Sequence, residues 1–237
     1  MLLFYVRHGD PTYNPDSLTP LGKRQAEAVA KRLTRYGIDK IYASTSTRAI
    51  QTAEPTCEIL KKDLTKLAWA DEGRAWEQMS VELPAGSRTW MFGVPKYREL
   101  FCSKRYRELG DNWMNEPEFK DTTFGEGALR VQREADGFLK ELGYEHDREK
   151  GCYIANNPQY DRVALFAHQG TGMLFLSAVL DIPLPLMCQR FNMSHTGVTV
   201  IDFGNDKISY PQALQVANDS HLLLDGLPTK YNNSIYF

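Results

Sequence analysis

A chain of 237 residues, 42% hydrophobic and 24% charged, has the composition of a globular protein and room for a single α/β domain spanning 1–237. Its formal net charge of −2 sets up no field that would draw nucleic acid or an acidic membrane surface, so a bound anion has to be held by a local cluster of cations. The apolar stretch Leu2–Val6 is too short for a signal core or a membrane span, and Cys57, Cys102, Cys152 and Cys188 form no CxxC pair. Free thiols and a cytoplasmic protein are therefore expected, with the sequons at Asn192, Asn218 and Asn232 idle.

In chain order, Leu2-Leu-Phe-Tyr-Val6 is an uninterrupted apolar run of strand length, the pattern of a strand buried on both faces, and it stops at Arg7-His8-Gly9-Asp10-Pro11. Thr19-Pro20 opens a helix whose apolar face is Ala26, Val29, Ala30 and Leu33, and Gly37 closes it. A short strand is predicted over Asp39–Ala43 and a turn over Ser44–Arg48. A helix follows with Ile50, Ala53, Cys57 and Leu60 on one side and a kink expected at Pro55. The segment 70–124 is rich in aromatic residues, among them Trp76, Trp90, Phe101 and Trp113, and reads as an ordered lid. A helix beginning at Glu126 carries Ala128, Val131, Ala135, Phe138 and Leu142. The strand Arg162–Ala167 breaks at His168-Gln169-Gly170 before an apolar helix Thr171–Leu180, and Val198–Phe203 and Ile208–Val216 are the last two predicted strands.

Alternating strands and helices predict a mostly parallel sheet covered by helices on both faces, with ligands at the carboxyl ends of the strands. Two strands end in histidine there, His8 and His168, and Arg7 and Arg48 sit in the same strand-to-turn positions. Two guanidiniums and two imidazoles around one crevice call for an anion between them. The planar fork of arginine matches phosphate oxygens, so the expected ligand is a phosphoryl group. The adjoining arginines favour the neutral, nucleophilic form of His8. Taken singly, each of these residues has an ordinary structural role; their recurrence in one order, each at a strand end or turn, is what points to a site. No set of His, Cys, Asp and Glu at metal-ligand spacing stands out, and no cofactor is expected.

These segments resemble the histidine phosphatase superfamily, the phosphoglycerate mutase-like proteins. The matching pieces are Val6-Arg7-His8-Gly9 with Asn14, Leu18-Thr19-Pro20-Leu21-Gly22 running into Gln25-Ala26, and Ile41-Tyr42-Ala43-Ser44. They continue with Arg48-Ala49-Ile50-Gln51-Thr52-Ala53, Phe124-Gly125-Glu126 and Ala167-His168-Gln169-Gly170. The resemblance implies a three-layer α/β sandwich and a metal-independent phosphatase of the histidine acid type, a phosphoric monoester hydrolase. In it His8 attacks phosphorus and becomes phosphohistidine, while Arg7, Asn14, Arg48, His168 and Gln169 hold the phosphate oxygens. The proton for the leaving alcohol is expected from a glutamate: Glu72 by its place after the strand near Leu67, with Glu77 and Glu82 as alternatives. His195 precedes a strand near the rim and reads as structural; His146 and His221 carry no motif. Nine residues separate Gly9 from Thr19, without the Gly-Trp element of the mutase branch, which favours water as final acceptor over a mutase reaction. A catalytically silent phospho-ligand module is the other alternative. The partner implied is a small phosphomonoester, whose identity rests on the aromatic segment. Lys96, Arg98, Lys104, Arg105 and Arg107 in that segment stand either as contacts for a second anionic group or as a solvated face.

Overall fold

The computed structural model describes residues 1–84, 86–157 and 160–231; the sequon at Asn232 lies outside them. Strand β1 (Leu2–Arg7) is followed by a hairpin, β2 (Pro11–Tyr13) and β3 (Asp16–Leu18), then by helix α1 (Pro20–Tyr36). The helix starts where the sequence says: the Thr19 side chain accepts from the Gly22 N–H, Pro20 takes the first turn, and Gly37 ends it in the left-handed region at φ 73°. Strand β4 (Lys40–Ser44), helix α2 (Thr47–Leu60) and strand β5 (Leu64–Leu67) complete the first half. Pro55 lies inside α2, which continues through it to Leu60.

The segment between β5 and the next long helix folds as α3 (Glu72–Met79), the hairpin β6 (Ser80–Glu82) and β7 (Arg88–Trp90), then α4 (Pro95–Cys102) and α5 (Lys104–Leu109). Its aromatic residues divide into two groups. Phe101, Tyr106, Trp113, Phe119 and Phe124 bury themselves against one another and join the main core, with Phe101–Trp113 centroids 5.3 Å apart and Trp113–Phe119 5.0 Å. Trp76, Trp90 and Phe92 form the second group, Trp76 edge-on to Trp90 and Trp90 stacked on Phe92.

The chain returns to the body through α6 (Phe124–Glu141), β8 (Tyr144–Asp147), β9 (Cys152–Ala155), β10 (Arg162–Ala167), α7 (Gln169–Leu180) and α8 (Leu184–Arg190). It finishes with β11 (Val198–Asp202), β12 (Ile208–Ser209), β13 (Gln212–Asn218) and α9 (Ser220–Leu224). The expected strand Ile208–Val216 is thus two strands. Tyr210-Pro211 interrupts it, because proline has no N–H for a ladder, and β12 pairs with β9 in a separate three-stranded sheet. Among the described residues no helix is long and apolar enough to cross a membrane.

The main sheet has the order β13-β11-β1-β10-β4-β5. β1, β10, β4 and β5 run parallel, while β11 and β13 are antiparallel to their neighbours. Side chains of β1 alternate between two cores. Phe4 and Val6 pack with Val29, Leu33 and Ala53 from α1 and α2; Leu3 and Tyr5 join Val131, Phe138 and Phe175 from α6 and α7. Helices therefore cover both faces, which is why the run Leu2–Val6 shows no polar alternation. In the β1–β10 register Arg7 lies opposite Ala167, so the residues that follow, His8 and His168, leave the sheet side by side.

Candidate active site

The backbone N–H groups of the turn after β1 are held by one carbonyl and two side chains. The His8 N–H donates to the Ala167 carbonyl at 2.9 Å, the Gly9 N–H to Thr52 Oγ1 at 3.0 Å and the Asp10 N–H to Gln25 Oε1 at 2.8 Å. The backbone of this turn touches the first turn of α1. A Cβ on Gly22 would come within 2.2 Å of the Asp10 carbonyl oxygen, so only glycine lets the two segments meet.

His8 is 2% exposed and its Nδ1 lies 2.7 Å from the Gly9 carbonyl oxygen. A carbonyl only accepts, so Nδ1 carries the proton and Nε2 keeps the lone pair. Burial holds the His8 pKa well below the usual histidine range, and the positive charges of Arg7 and Arg48 push in the same direction. The imidazole is consequently neutral and nucleophilic at ordinary pH.

The His168 ring centroid is 5.2 Å from that of His8. Arg48 donates from Nη2 to His168 Nδ1 at 3.1 Å, which leaves the proton on Nε2 to bond Ser44 Oγ at 2.8 Å. Burial, then Arg48 and Arg7, hold His168 neutral as well. Arg7 is fully buried at the end of β1, donating to the Met193 carbonyl at 2.5 Å and lying 3.0 Å from His195 Nε2. Burial draws its pKa down to about 10, which leaves it charged at neutral pH. Arg48, in the first turn of α2, is held by Asp16 at 2.7 Å. Its buried Nε has no protein partner, so this guanidinium keeps a donor in reserve.

Glu72 opens α3 and crosses to the start of α7, where its Oε1 accepts from the Gly170 N–H at 2.9 Å; its Oε2 lies 3.4 Å from Arg48 Nη2. Burial raises its pKa above the ordinary carboxylate value, against the pull of Arg48, the Gly170 N–H and Arg7. Glu77 and Glu82 are exposed on α3 and β6 and do not line the cavity.

These groups open into a cavity of about 610 Å³ whose lining includes Arg7, His8, Arg48, Glu72 and Gln169, with Tyr13, Trp76 and Trp90 around them. Asn14 is exposed on the β2–β3 turn and outside that lining, whereas Asn192 lies within it and accepts from the Gln169 side chain. His195 is buried 5.9 Å from His8 with its ring against Arg7, so it supports the arginine from behind the cavity.

The orienting contacts of Ser44 and Asp16 escaped the sequence analysis, and His195 was read there only as structural, since a residue that orients another leaves no mark in spacing. Trp90 left a trace in Gly170: a Cβ there would sit 2.1 Å from the indole, so glycine at the start of α7 lets Trp90 lie over it. One arrangement went unseen in the sequence. His8, Glu72 and His168 offer three ligand atoms within 4.8 Å of one another, close enough for a metal ion. Their surroundings fit a cation poorly. His8 Nδ1 is bonded to Gly9, His168 Nδ1 faces a guanidinium, and Arg7 and Arg48 repel positive charge.

A crevice at the carboxyl ends of parallel strands, built from two arginines and two neutral histidines, defines an anion site of the phosphoryl-transfer kind. The chain belongs to the histidine phosphatase superfamily (branch 1), whose sequence pattern matches residues 3–213. It is 29% identical over 158 residues to phosphoserine phosphatase 1 of Hydrogenobacter thermophilus, a match covering 61% of this chain and 65% of that protein. Among solved structures it shares its fold with a mutant phosphoserine phosphatase from Entamoeba histolytica in complex with phosphoserine. That match has TM-score 0.59 and 20% identity, over 93% of this chain and 98% of the other. A mycobacterial glucosyl-3-phosphoglycerate phosphatase in complex with VO3 aligns at TM-score 0.59 and 18% identity, over 90% and 97% of the two chains.

Proposed function

We propose that this chain is a phosphomonoester phosphatase working through a phosphohistidine on His8. The observation that carries it is the bond from His8 Nδ1–H to the Gly9 carbonyl, which leaves Nε2 unprotonated beside Arg7, Arg48 and His168. The Nε2 lone pair attacks phosphorus as the P–O ester bond breaks, and the leaving oxygen takes the proton of Glu72. Water then attacks the phosphohistidine, giving its proton to the Glu72 carboxylate as the P–N bond breaks and inorganic phosphate departs.

Arg7 and Arg48 stabilise the charge spread over the transferring oxygens, with Gln169 at the same wall. A dianionic phosphoryl group opposes the burial and arginine fields that keep His168 neutral, so on binding His168 takes a proton from solvent at Nδ1, exchanges its Arg48 contact for the phosphoryl oxygen and donates to it. Trp76, Trp90 and Phe92 in the cavity lining support a lid role for the inserted segment 70–124. The Asn14 donor role stays with the exposed hairpin turn and requires that turn to move inward.

The test is hydrolysis of p-nitrophenyl phosphate in excess chelator, with acid-quenched samples assayed for protein-bound phosphate. Turnover without metal and an acid-labile, base-stable phosphoprotein are expected, both lost in His8→Ala. Activity that disappears with chelator and returns with a divalent cation would refute the scheme.

A further inference from the structure

The cavity has two chemically different halves. Its cationic side chains among the described residues are Arg7 and Arg48, both beside His8 and therefore committed to the phosphoryl group. The wall beyond them is uncharged and largely aromatic, made by Tyr13 from the hairpin, Trp76 from α3, Thr89 and Trp90 from β7, and Phe92 and Asn192. The basic residues that a second anionic group would need are elsewhere. Lys104 and Arg105 pair with Glu108 and Glu116, and neither they nor Lys96, Arg98 and Arg107 line the cavity.

From this division we infer that the substrate's leaving alcohol is uncharged and carries a flat aromatic ring, a reading that rests on the phosphatase assignment above. The Trp90 indole lies over Gly170 with Trp76 edge-on to it and Phe92 stacked on it, and together with Tyr13 these rings give the cavity wall an aromatic surface for a ring-bearing alcohol. A carboxylate in the same place would lose its hydration with no cation to replace it. The Entamoeba relative solved with phosphoserine, a ligand bearing a carboxylate, shares the fold at 20% identity and does not define this wall.

The experiment compares kcat/KM for benzyl phosphate, ethyl phosphate, O-phosphoserine and 3-phosphoglycerate. All four release primary alkoxides, so differences report the wall rather than leaving-group reactivity. Benzyl phosphate is expected to exceed each of the others by about tenfold or more. Thr89→Lys, which adds a cation to the wall, is expected to shift the benzyl to 3-phosphoglycerate ratio by about tenfold toward the acid. Phosphoserine or 3-phosphoglycerate equal to benzyl phosphate would overturn the inference while the phosphatase reading survives, and so would an unchanged ratio in a folded Thr89→Lys. Failure to release phosphate from any of the four would remove the phosphatase reading, and this inference with it.

Discussion

Glu72 is subject to opposed influences, with burial raising its pKa and Arg48, the Gly170 N–H and Arg7 restraining it. In the proposed role of proton donor it works only when protonated, so kcat/KM should fall as pH rises through its elevated pKa. On the acid side the rate holds until His8 protonates, well below the usual histidine range. Glu72→Gln should lower kcat by about a hundredfold or more and erase the alkaline limb, which a pH–rate profile on an alkyl phosphate would reveal. His195 acts one step removed. Removing its ring in His195→Ala takes a neighbour from Arg7 Nη2, and KM should rise by about tenfold with the folded state retained by circular dichroism. At this scale the sequence singled out Arg7, His8, Arg48 and Glu72, which the fold brings to one cavity, because such types are scarce at strand ends and turns. It did not reveal the contacts of Ser44 with His168, Asp16 with Arg48 or His195 with Arg7, whose partners lie far away in the chain.

Elements with strong local signals were legible. The helix α1 matches its caps, Thr19 and Gly37, because cap chemistry is settled within a few residues. The three-residue strands β2 and β3 are too short to show a period, and β12 could be told from β13 only through its pairing with β9. The tie between α6, β8 and α7 was equally hidden: His146 on β8 lies 3.1 Å from Asp136 and 2.9 Å from Asp181. Both ring nitrogens face carboxylates, so both donate only when the ring is cationic. Burial opposes that charge, as does nearby Arg148, yet the bonds to Asp136 and Asp181 carry the pKa above the ordinary value of 6.5. A raised pKa stabilises the fold fully below the unfolded value, and the contribution is lost as pH rises through the folded one. The difference in Tm between the native chain and His146→Gln should therefore be largest below pH 6.5 and shrink in alkaline buffer, as thermal melts at several pH values would show.

Over the whole molecule, the aromatic segment 70–124 serves both packing and the cavity. Trp113 is fully buried against Phe101 and Phe119, so Trp113→Ala should cost about 3–5 kcal/mol in a denaturant titration. The sheet's topology was legible in outline, since buried apolar runs and helices alternate, but its order was not, because β1 is completed by β10 from the other end of the chain. That pairing joins Leu2 to Arg162 and Arg7 to Ala167. During synthesis His8 is made long before His168, the histidine that comes to stand beside it. Contacts of such long sequence separation form late and slowly. A nascent chain halted before β10 would carry His8 with neither His168 nor the start of α7 beside it, so under the proposed mechanism chemical competence comes with the closing of the sheet.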